Sequence, residues 1–494
     1  MPERRLVGID LGIASEHTAR VLRLREDASE VCRCRCRPTQ DSLGELERAA
    51  LAGAPAGTRL EVVIEPTGPA WRPVAVYFVR RGHLVYRVSS AKAADLRRFL
   101  SRHAKSNNID ALTLAKLAIL DPQGLIPLEL GDREQATLDR RVRACDRLTR
   151  LASEHKTRLK DLVRQLLPET PLRDALGQAD LAVLERTGAD PHQLVRLGKA
   201  RLTRLIVIAS RHQQGELRAQ QWLDAAHLAL ELFAEHPAVA FSDLAEEVRT
   251  EVRLLKATAA ELQPHARARD QAYARLDPDA LARSLPGIGE VGAPILVASL
   301  GRPGRFPSGR HARSFSGLTP KSSETGETDR KGQSISKAGP NRLRTALVLA
   351  ADHARRQDPQ LARAYYLQMT ERGGCHTKAL CVVAAKLVER ALTVLQRRIP
   401  YQLRDTDGRL VSAEEAKAII AERWTVPEEA RRRRRSRKSK KGGKAPQQVV
   451  ARHANASARS AATRRPSPPP IVVPELTPIK EVLATVAQRT GIRF

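Results

Sequence analysis

Three carboxylates stand where strand ends and a helix start would present them. Asp10 closes the apolar run Leu6-Val-Gly-Ile9, Glu65 closes Leu60-Glu-Val-Val-Ile64, and Asp110 opens an apolar helix in Lys105-Ser-Asn-Asn-Ile-Asp-Ala111. Carboxylate oxygens are hard ligands suited to Mg²⁺ or Mn²⁺. Two such ions roughly 3.5–4 Å apart can activate an attacking oxygen and stabilise a leaving one at a phosphodiester. Taken singly, each acid is more often a turn or cap residue. As an ordered Asp–Glu–Asp set across one α/β region, they point to metal-dependent chemistry on nucleic acid.

A second group of chemistry-bearing residues lies in the other half of the chain. Leu285-Pro-Gly-Ile-Gly-Glu-Val-Gly292 precedes an apolar helix, and Gly287 and Gly289 leave backbone N–H groups free to approach a phosphate. The pattern is similar to a helix-hairpin-helix element, which binds nucleic-acid backbone without reading sequence. From Arg305 to Pro359, serines, threonines, glycines and basic residues are packed into a loop that leads to a helix. A hydroxyl set among cations beside a phosphate can act as a nucleophile.

The elements that must position these groups divide the chain into four parts. Residues 1–130 read as an α/β layer domain, with strands Leu6–Asp10, Val31–Arg37, Leu60–Glu65 and Leu84–Val88. Helices are predicted there over Pro73–Arg81, Ala91–Leu100 and Asp110–Leu120. Residues 131–275 carry Leu138, Val142, Cys145, Leu148, Ala152, Leu159 and Leu166, then Leu244, Val248, Val252, Leu255, Ala259 and Leu262, at spacing near 3.5. That predicts two long antiparallel helices, a coiled-coil-like spacer. Residues 276–400 read as a compact helical domain. Residues 401–494 read as a polar strand-turn segment over Tyr401–Leu410, then a basic, largely disordered tail built on RRRRRSRKSKKGGK, with a short helix over Ile479–Ile492.

Charge is the loudest global signal: 85 Lys and Arg against 55 Asp and Glu, a formal +30. Such a surplus implies a polyanionic partner, most simply nucleic acid, and it extends well upstream of the tail. Aromatics make up 3% of the chain, so contact with backbone is expected over base stacking. Six cysteines do not make a disulfide scaffold. Cys32, Cys34 and Cys36 alternate with Arg33, Arg35 and Arg37, which puts thiols on one strand face and guanidiniums on the other. The spacing lacks a zinc pattern. With no signal peptide and no membrane-length apolar run, a bacterial cytoplasmic protein working on nucleoid DNA is expected.

The motifs in combination resemble the RuvC-like DEDD transposases of bacterial insertion sequences, the one-ten group, described as bridge-RNA-guided recombinases. The resemblance rests on GIDLG…H, IEPTG, KSNNIDA, LPGIGEVGA and FSGLTP…TG…KG…ISKAG…LR, over roughly residues 5–120 and 275–400. It implies an RNase H/RuvC-like N-terminal domain, a helical spacer and a helical C-terminal transposase domain. It also implies four metal-binding acids that act with a C-terminal serine, which attacks DNA and becomes transiently phosphoester-linked. Carried over, the acids fall on Asp10, Glu65, Asn107 and Asp110. Asn107 departs from the pattern, because its amide oxygen can coordinate Mg²⁺ but brings no charge; Asp95 could substitute only if its helix turned inward. The family's Ser-Gly pair aligns with Thr325-Gly326, and Ser322 and Ser323 lie just before it. Ser323 is the favoured nucleophile, with Thr325 and Ser322 as the alternatives. Lys321, Arg330, Lys331, Lys337, Arg342 and Arg344 stand near enough in sequence to clamp phosphate. The resemblance further implies DNA (element ends and target), a structured guide RNA, and a homodimer or tetramer as partners.

Three other readings compete. GIDLG also resembles the first phosphate loop of actin-like and sugar-kinase ATPases, but no second Asp-Gly loop follows in a suitable place. A catalytically inactive nucleic-acid binder derived from a transposase would accommodate Asn107 and Thr325. A stand-alone junction nuclease has no use for the hydroxyl loop or the long spacer.

Overall fold

The computed structural model of the chain describes residues 3–100, 106–172, 176–234, 236, 239–321, 324–325, 328–329, 333–372 and 374–431. In the N-terminal region, β1 (Arg4–Asp10), β2 (His17–Leu24) and β3 (Ala28–Cys36) form a meander. It is followed by α1 (Gln40–Leu51), β4 (Leu60–Ile64), α2 (Trp71–Arg80), β5 (Leu84–Arg87), α3 (Ser90–Leu100) and α4 (Asn107–Leu120). The sheet order is β3-β2-β1-β4-β5, antiparallel through β3-β2-β1 and parallel through β1-β4-β5.

Each expected strand and helix is present, with ends displaced by up to three residues. Two elements go beyond the expectation. β2 continues the chain past the polar turn, and its alternation is masked in sequence by Arg20, which is buried because it pairs with Glu30 of β3 at 2.6 Å. α1 buries Leu43, Leu46 and Ala50 against the sheet, and Thr39 caps it by accepting the Ser42 N–H.

Side-chain alternation sorts the sheet into two faces. Val7, Ile9, Ala19, Val21, Val62 and Ile64 pack with Leu43 and Leu46 of α1 and Val74 and Phe78 of α2. Leu6, Leu22 and Val63 pack instead with Leu114, Ala115 and Ala118 of α4. Gly8 allows that second layer to close, since a side chain there would overlap the Ala111 carbonyl and the Ala115 amide of α4. Cys32, Cys34 and Cys36 lie on the α1 face, with the Cys34 Sγ 3.7 Å from that of Cys32. Burial, then proximity to Cys34, pushes the Cys32 and Cys36 thiols up to about 12. These are protonated packing groups, as a buried strand face requires.

The spacer contains the two expected long helices, α5 (Arg133–Leu166) and α9 (Phe241–Leu276). They run antiparallel: Glu134 meets Arg275 at one end, and His155 meets Glu251 at 2.6 Å further along. The segment joining them is not a simple connection. α6 (Gln178–Thr187), α7 (Pro191–Ala209) and α8 (Glu216–Phe233) fold around the fully buried Trp222. The buried Arg218–Asp180 pair, 2.6 Å, ties α8 to α6.

Beyond α9 come a 3₁₀ turn at Leu281–Ser284, α10 (Gly292–Leu300), α11 (Gly309–Phe315), β6 (Glu324–Thr325), β7 (Thr328–Asp329), α12 (Asn341–Ala354), α13 (Pro359–Thr370), α14 (His376–Arg397) and α15 (Ala413–Arg423). The chain divides into two compact units. One runs through Ala350 and includes Leu387–Tyr401; the other holds Ala351–Lys386 and the segment from Gln402 onward. The strand-turn character expected over Tyr401–Leu410 is present, and the largely disordered tail expected after it is corrected at α15. Arg404 bridges Leu410, and α15 starts on a reciprocal cap between Ser412 and Glu415. Most of the basic run and the helix expected over Ile479–Ile492 lie outside the described residues. Among the described residues, no helix is long and apolar enough to cross a membrane.

Candidate active site

β1 and β4 are parallel neighbours with Ile9 opposite Ile64, so Asp10 and Glu65 leave the sheet side by side. Adjacent strands place their backbones roughly 4.8 Å apart. Asp10 shares its face with Leu6 and Gly8, and Glu65 with Glu61 and Val63, so alternation aims both carboxylates toward α4. Both residues are half-buried.

Asp110 reaches the same neighbourhood from the helix side. Ser106 caps α4 by accepting the Ile109 N–H, which puts Asp110 in the first turn, where an acid is favoured by the helix dipole. Ala111, the next residue, lies over Gly8. The Asp110 carboxylate accepts a hydrogen bond from the Arg97 guanidinium of α3 at 3.0 Å. Asn107 is exposed at the first position of α4, one turn before Asp110. Asp95 does not turn inward: it is exposed and paired with Arg98 on its own helix.

The donor set has the right chemistry for Mg²⁺, which takes carboxylate oxygens and keeps much of its water. Asp10, Glu65, Asn107 and Asp110 are not, however, drawn together as a cage. Among the described residues, no three His, Cys, Asp or Glu side chains gather closely enough to hold a metal. The Asp110 carboxylate is engaged instead by a cation, Arg97.

His17, quoted in the GIDLG…H motif without a role, turns out to hold the turn after β1. Its Nδ1 accepts the Gly12 N–H at 3.2 Å, and its Nε2 is buried with no hydrogen-bond partner among the described residues. Burial lowers its pKa, which keeps the ring neutral and Nδ1 available as an acceptor. The spacing to Asp10 was the available signal. Arg97 offered none, because it sits in an ordinary basic stretch.

The hydroxyl-rich segment is a β-hairpin rather than a plain loop. Ser336 N–H donates to the Thr319 carbonyl, Lys321 N–H to Ser334, and Lys337 N–H to Gly317, at 2.8, 2.9 and 3.1 Å. β6 and β7 pair antiparallel, with Thr325 opposite Thr328. Ser322 and Ser323 lie outside the described residues. At the base, Gly317 has a φ of +71°, and a side chain at Gly339 would overlap the Phe315 carbonyl. Arg344 clamps this base, donating to the carbonyl of Gly339 at 3.2 Å and to Asn341 Oδ1 at 2.8 Å. Arg342 pairs with Asp146 of α5 at 3.3 Å. Lys337 is exposed and holds a left-handed φ of +58°, a conformation that stores strain in a residue with a side chain.

The Gly287–Gly289 loop follows a 3₁₀ turn rather than a full helix. Asp277 anchors that turn, accepting the Leu281 and Ala282 N–H groups at 2.9 Å each and the Tyr273 hydroxyl at 2.7 Å. Gly287 takes a φ of +75°, while Gly289, Glu290 and Val291 are exposed ahead of α10. α10 packs on the start of α5, where Gln135 donates to the carbonyls of Val297 and Ala298.

Two family models match the chain. The IS110-type DEDD transposase domain covers residues 7–168, from β1 through α5, and includes Asp10, Glu65 and Asp110. The transposase IS116/IS110/IS902 family domain covers residues 279–367, which contain the glycine loop and the hairpin. The 43.6 kDa protein of insertion element IS110 from Streptomyces coelicolor is 28% identical over 364 residues, 71% of this chain and 85% of that protein. The chain belongs to the IS110 family of transposases. A pilin gene-inverting protein of Moraxella bovis is 26% identical over 124 residues, 25% of this chain and 38% of that protein. A Sinorhizobium fredii protein named as a transposase is 26% identical over 252 residues, 51% of each chain. This transposase is therefore a DNA-binding recombination enzyme, and its α6–α8 bundle lies between the two matched stretches.

Proposed function

We propose that the transposase cuts and rejoins DNA at the Asp10–Glu65 end of its sheet, through a covalent hydroxyl–phosphoester intermediate and with base choice delegated to a structured RNA. The observation that carries the reading is the pairing of Asp10 and Glu65 on adjacent parallel strands, facing the helix that bears Asp110. Asp10, Glu65 and Asp110, with Asn107 as a neutral fourth ligand, would hold Mg²⁺ or Mn²⁺. A bound divalent ion supplies positive charge that activates an oxygen nucleophile and stabilises the leaving oxygen.

The chain's own groups do the rest. A hydroxyl from Ser322, Ser323 or Thr325 attacks the scissile phosphorus, its proton leaves to a base or water, and the 3′ or 5′ oxygen of DNA departs. Rejoining reverses these bonds with a new DNA hydroxyl. Arg344 holds the hairpin base in register, and Lys337, exposed beside it, meets phosphate. Gly287 and Gly289 offer a close approach to DNA backbone, opposed in part by the charge of Glu290. RNA guidance is supported by the family resemblance and by the +30 charge, which suits RNA as well as DNA. Strand exchange needs more than one active site, so a dimer or tetramer is part of the proposal.

A second reading, an inactive nucleic-acid-binding derivative, is favoured by Asn107 and by the Arg97–Asp110 pair. One experiment separates the two. The protein is incubated with its flanking DNA, the adjacent transcript and Mg²⁺, denatured, and searched by mass spectrometry for a DNA-modified peptide. An adduct within Ser322–Thr325, lost in Asp10→Ala with binding retained, is expected. Bound nucleic acid without an adduct at any divalent concentration would replace the first reading with the second.

A further inference from the structure

The thiols of β3 face α1, so the arginines that alternate with them must face the other way. Register carries them to the acidic end. Arg35 is opposite Thr18, which is opposite Asp10; Arg33 is opposite Arg20, which is opposite Gly8. Opposed residues share a face, so Arg33, Arg35, Asp10 and Glu65 all lie on one side of the sheet. On that side α4 packs over β1, β2 and β4, and β3 is the edge strand, which among the described residues α4 does not cover to the same extent. Arg33 and Arg35 are exposed there, as is Arg37 just past the strand end.

The local charge does not cancel. The single Glu30 carboxylate is shared by Arg20 and Arg33, each at 2.6 Å. Arg37 reaches Glu16 at 3.3 Å, and Arg35 has no hydrogen-bond or ion-pair partner among the described residues. Alternate residues of a strand are roughly 6.7 Å apart, close to two nucleotide rises of about 3.4 Å each along a duplex axis. Arg35 stands two strand spacings from Asp10, roughly 9–10 Å between backbones.

We propose that the Arg33–Arg35–Arg37 edge of β3 is a rail for the DNA phosphates that flank the one being cut. The proposal rests on the reading of the Asp10–Glu65 end as the cleavage site. DNA is the occupant because a strand on this rail is continuous with the strand whose phosphate reaches Asp10. Exposed arginines on an edge strand also discourage edge-to-edge aggregation, and the test must separate that role from binding.

The full chain and its Arg33→Ala/Arg35→Ala variant are titrated by anisotropy with a short mixed-sequence DNA duplex, and in parallel with single-stranded RNA, in chelator across a fourfold range of salt. Each lost phosphate contact lowers the log–log salt slope by about 0.9, so the double variant should lose about 1.8. A fourfold rise in salt then costs the variant roughly tenfold less affinity than it costs the wild type. Arg33→Lys/Arg35→Lys should restore the slope. If the double alanine variant does not fold, Arg35→Gln alone, at an exposed and unpaired position, should still lose about 0.9. An unchanged DNA slope overturns the rail, and a loss confined to RNA overturns it in favour of an RNA contact. A wild type that cleaves DNA while the slope stays unchanged refutes the rail alone. A slope change in a protein that never cleaves refutes the cleavage reading alone.

Discussion

Substituting alanine for Gly8 asks whether the α4–β1 contact positions the reaction. Gly8 lies mid-strand, two residues before Asp10, and the atoms its Cβ would strike are the Ala111 carbonyl and the Ala115 amide. Both belong to the backbone of α4, so no side-chain rotation relieves the clash, and the helix must retreat from the sheet. Overfilling a packed layer costs about 1–3 kcal/mol. The functional cost should be larger, because Asp110 precedes Ala111 and moves with it. A displacement of about 1 Å at a reacting centre can cost roughly 10²-fold in rate. Single-turnover cleavage of flanking DNA by Gly8→Ala should therefore fall by about two orders of magnitude. Duplex binding by anisotropy should stay close to wild type, and thermal melting should show a folded protein. Ala111→Gly should not rescue the variant, since it removes only a side chain. Wild-type cleavage by a folded Gly8→Ala protein would refute the argument, showing that the placement of Asp110 over β1 is irrelevant to the chemistry.

Removing the Arg97 guanidinium frees the Asp110 carboxylate, so Arg97→Ala should lower the divalent-ion concentration needed for half-maximal cleavage. A partly exposed pair is worth up to about 1 kcal/mol, or roughly fivefold in that concentration; a rise instead would mean that Arg97 orients Asp110. His17 gives a pH dependence. Its folded pKa lies below the ordinary value of about 6.5, so below that pH the unfolded chain binds more protons and stability falls as the solution is acidified. His17→Asn retains an acceptor for Gly12 without titrating, and its melting temperature should fall less between neutral and mildly acidic pH. Equal losses in the two proteins would show that His17 is not the group responsible.

Local pattern was enough for a good part of this molecule. The apolar runs ending at Asp10 and Glu65, the helix expected from Asp110 and the period near 3.5 in α5 and α9 are all short-range signals, and the structure has each of them. The motifs likewise identified the family, because they record which residue types must recur at which spacing. What pattern could not supply was pairing. Arg20 breaks the alternation of β2 and is buried only because Glu30 lies across the strand pair, so the strand is invisible until its partner is known. The α6–α8 bundle depends on Trp222 meeting helices remote in sequence. The hairpin from Gly317 to Gly339 depends on backbone hydrogen bonds between segments that show no strand alternation.

The same division holds at the site. The acids were legible as residue types, since phosphodiester chemistry calls for hard oxygen ligands and strand ends expose them. Their state was not legible: tertiary packing put Arg97 on Asp110, turned Arg344 onto the hairpin base and buried His17 against Gly12. Those outcomes follow from which surfaces come together, and a side chain's neighbours across the fold are not written in its neighbours along the chain. The β3 arginines show both halves at once. Alternation alone determined that they oppose the thiols, and only the strand register decided that they share a face with Asp10.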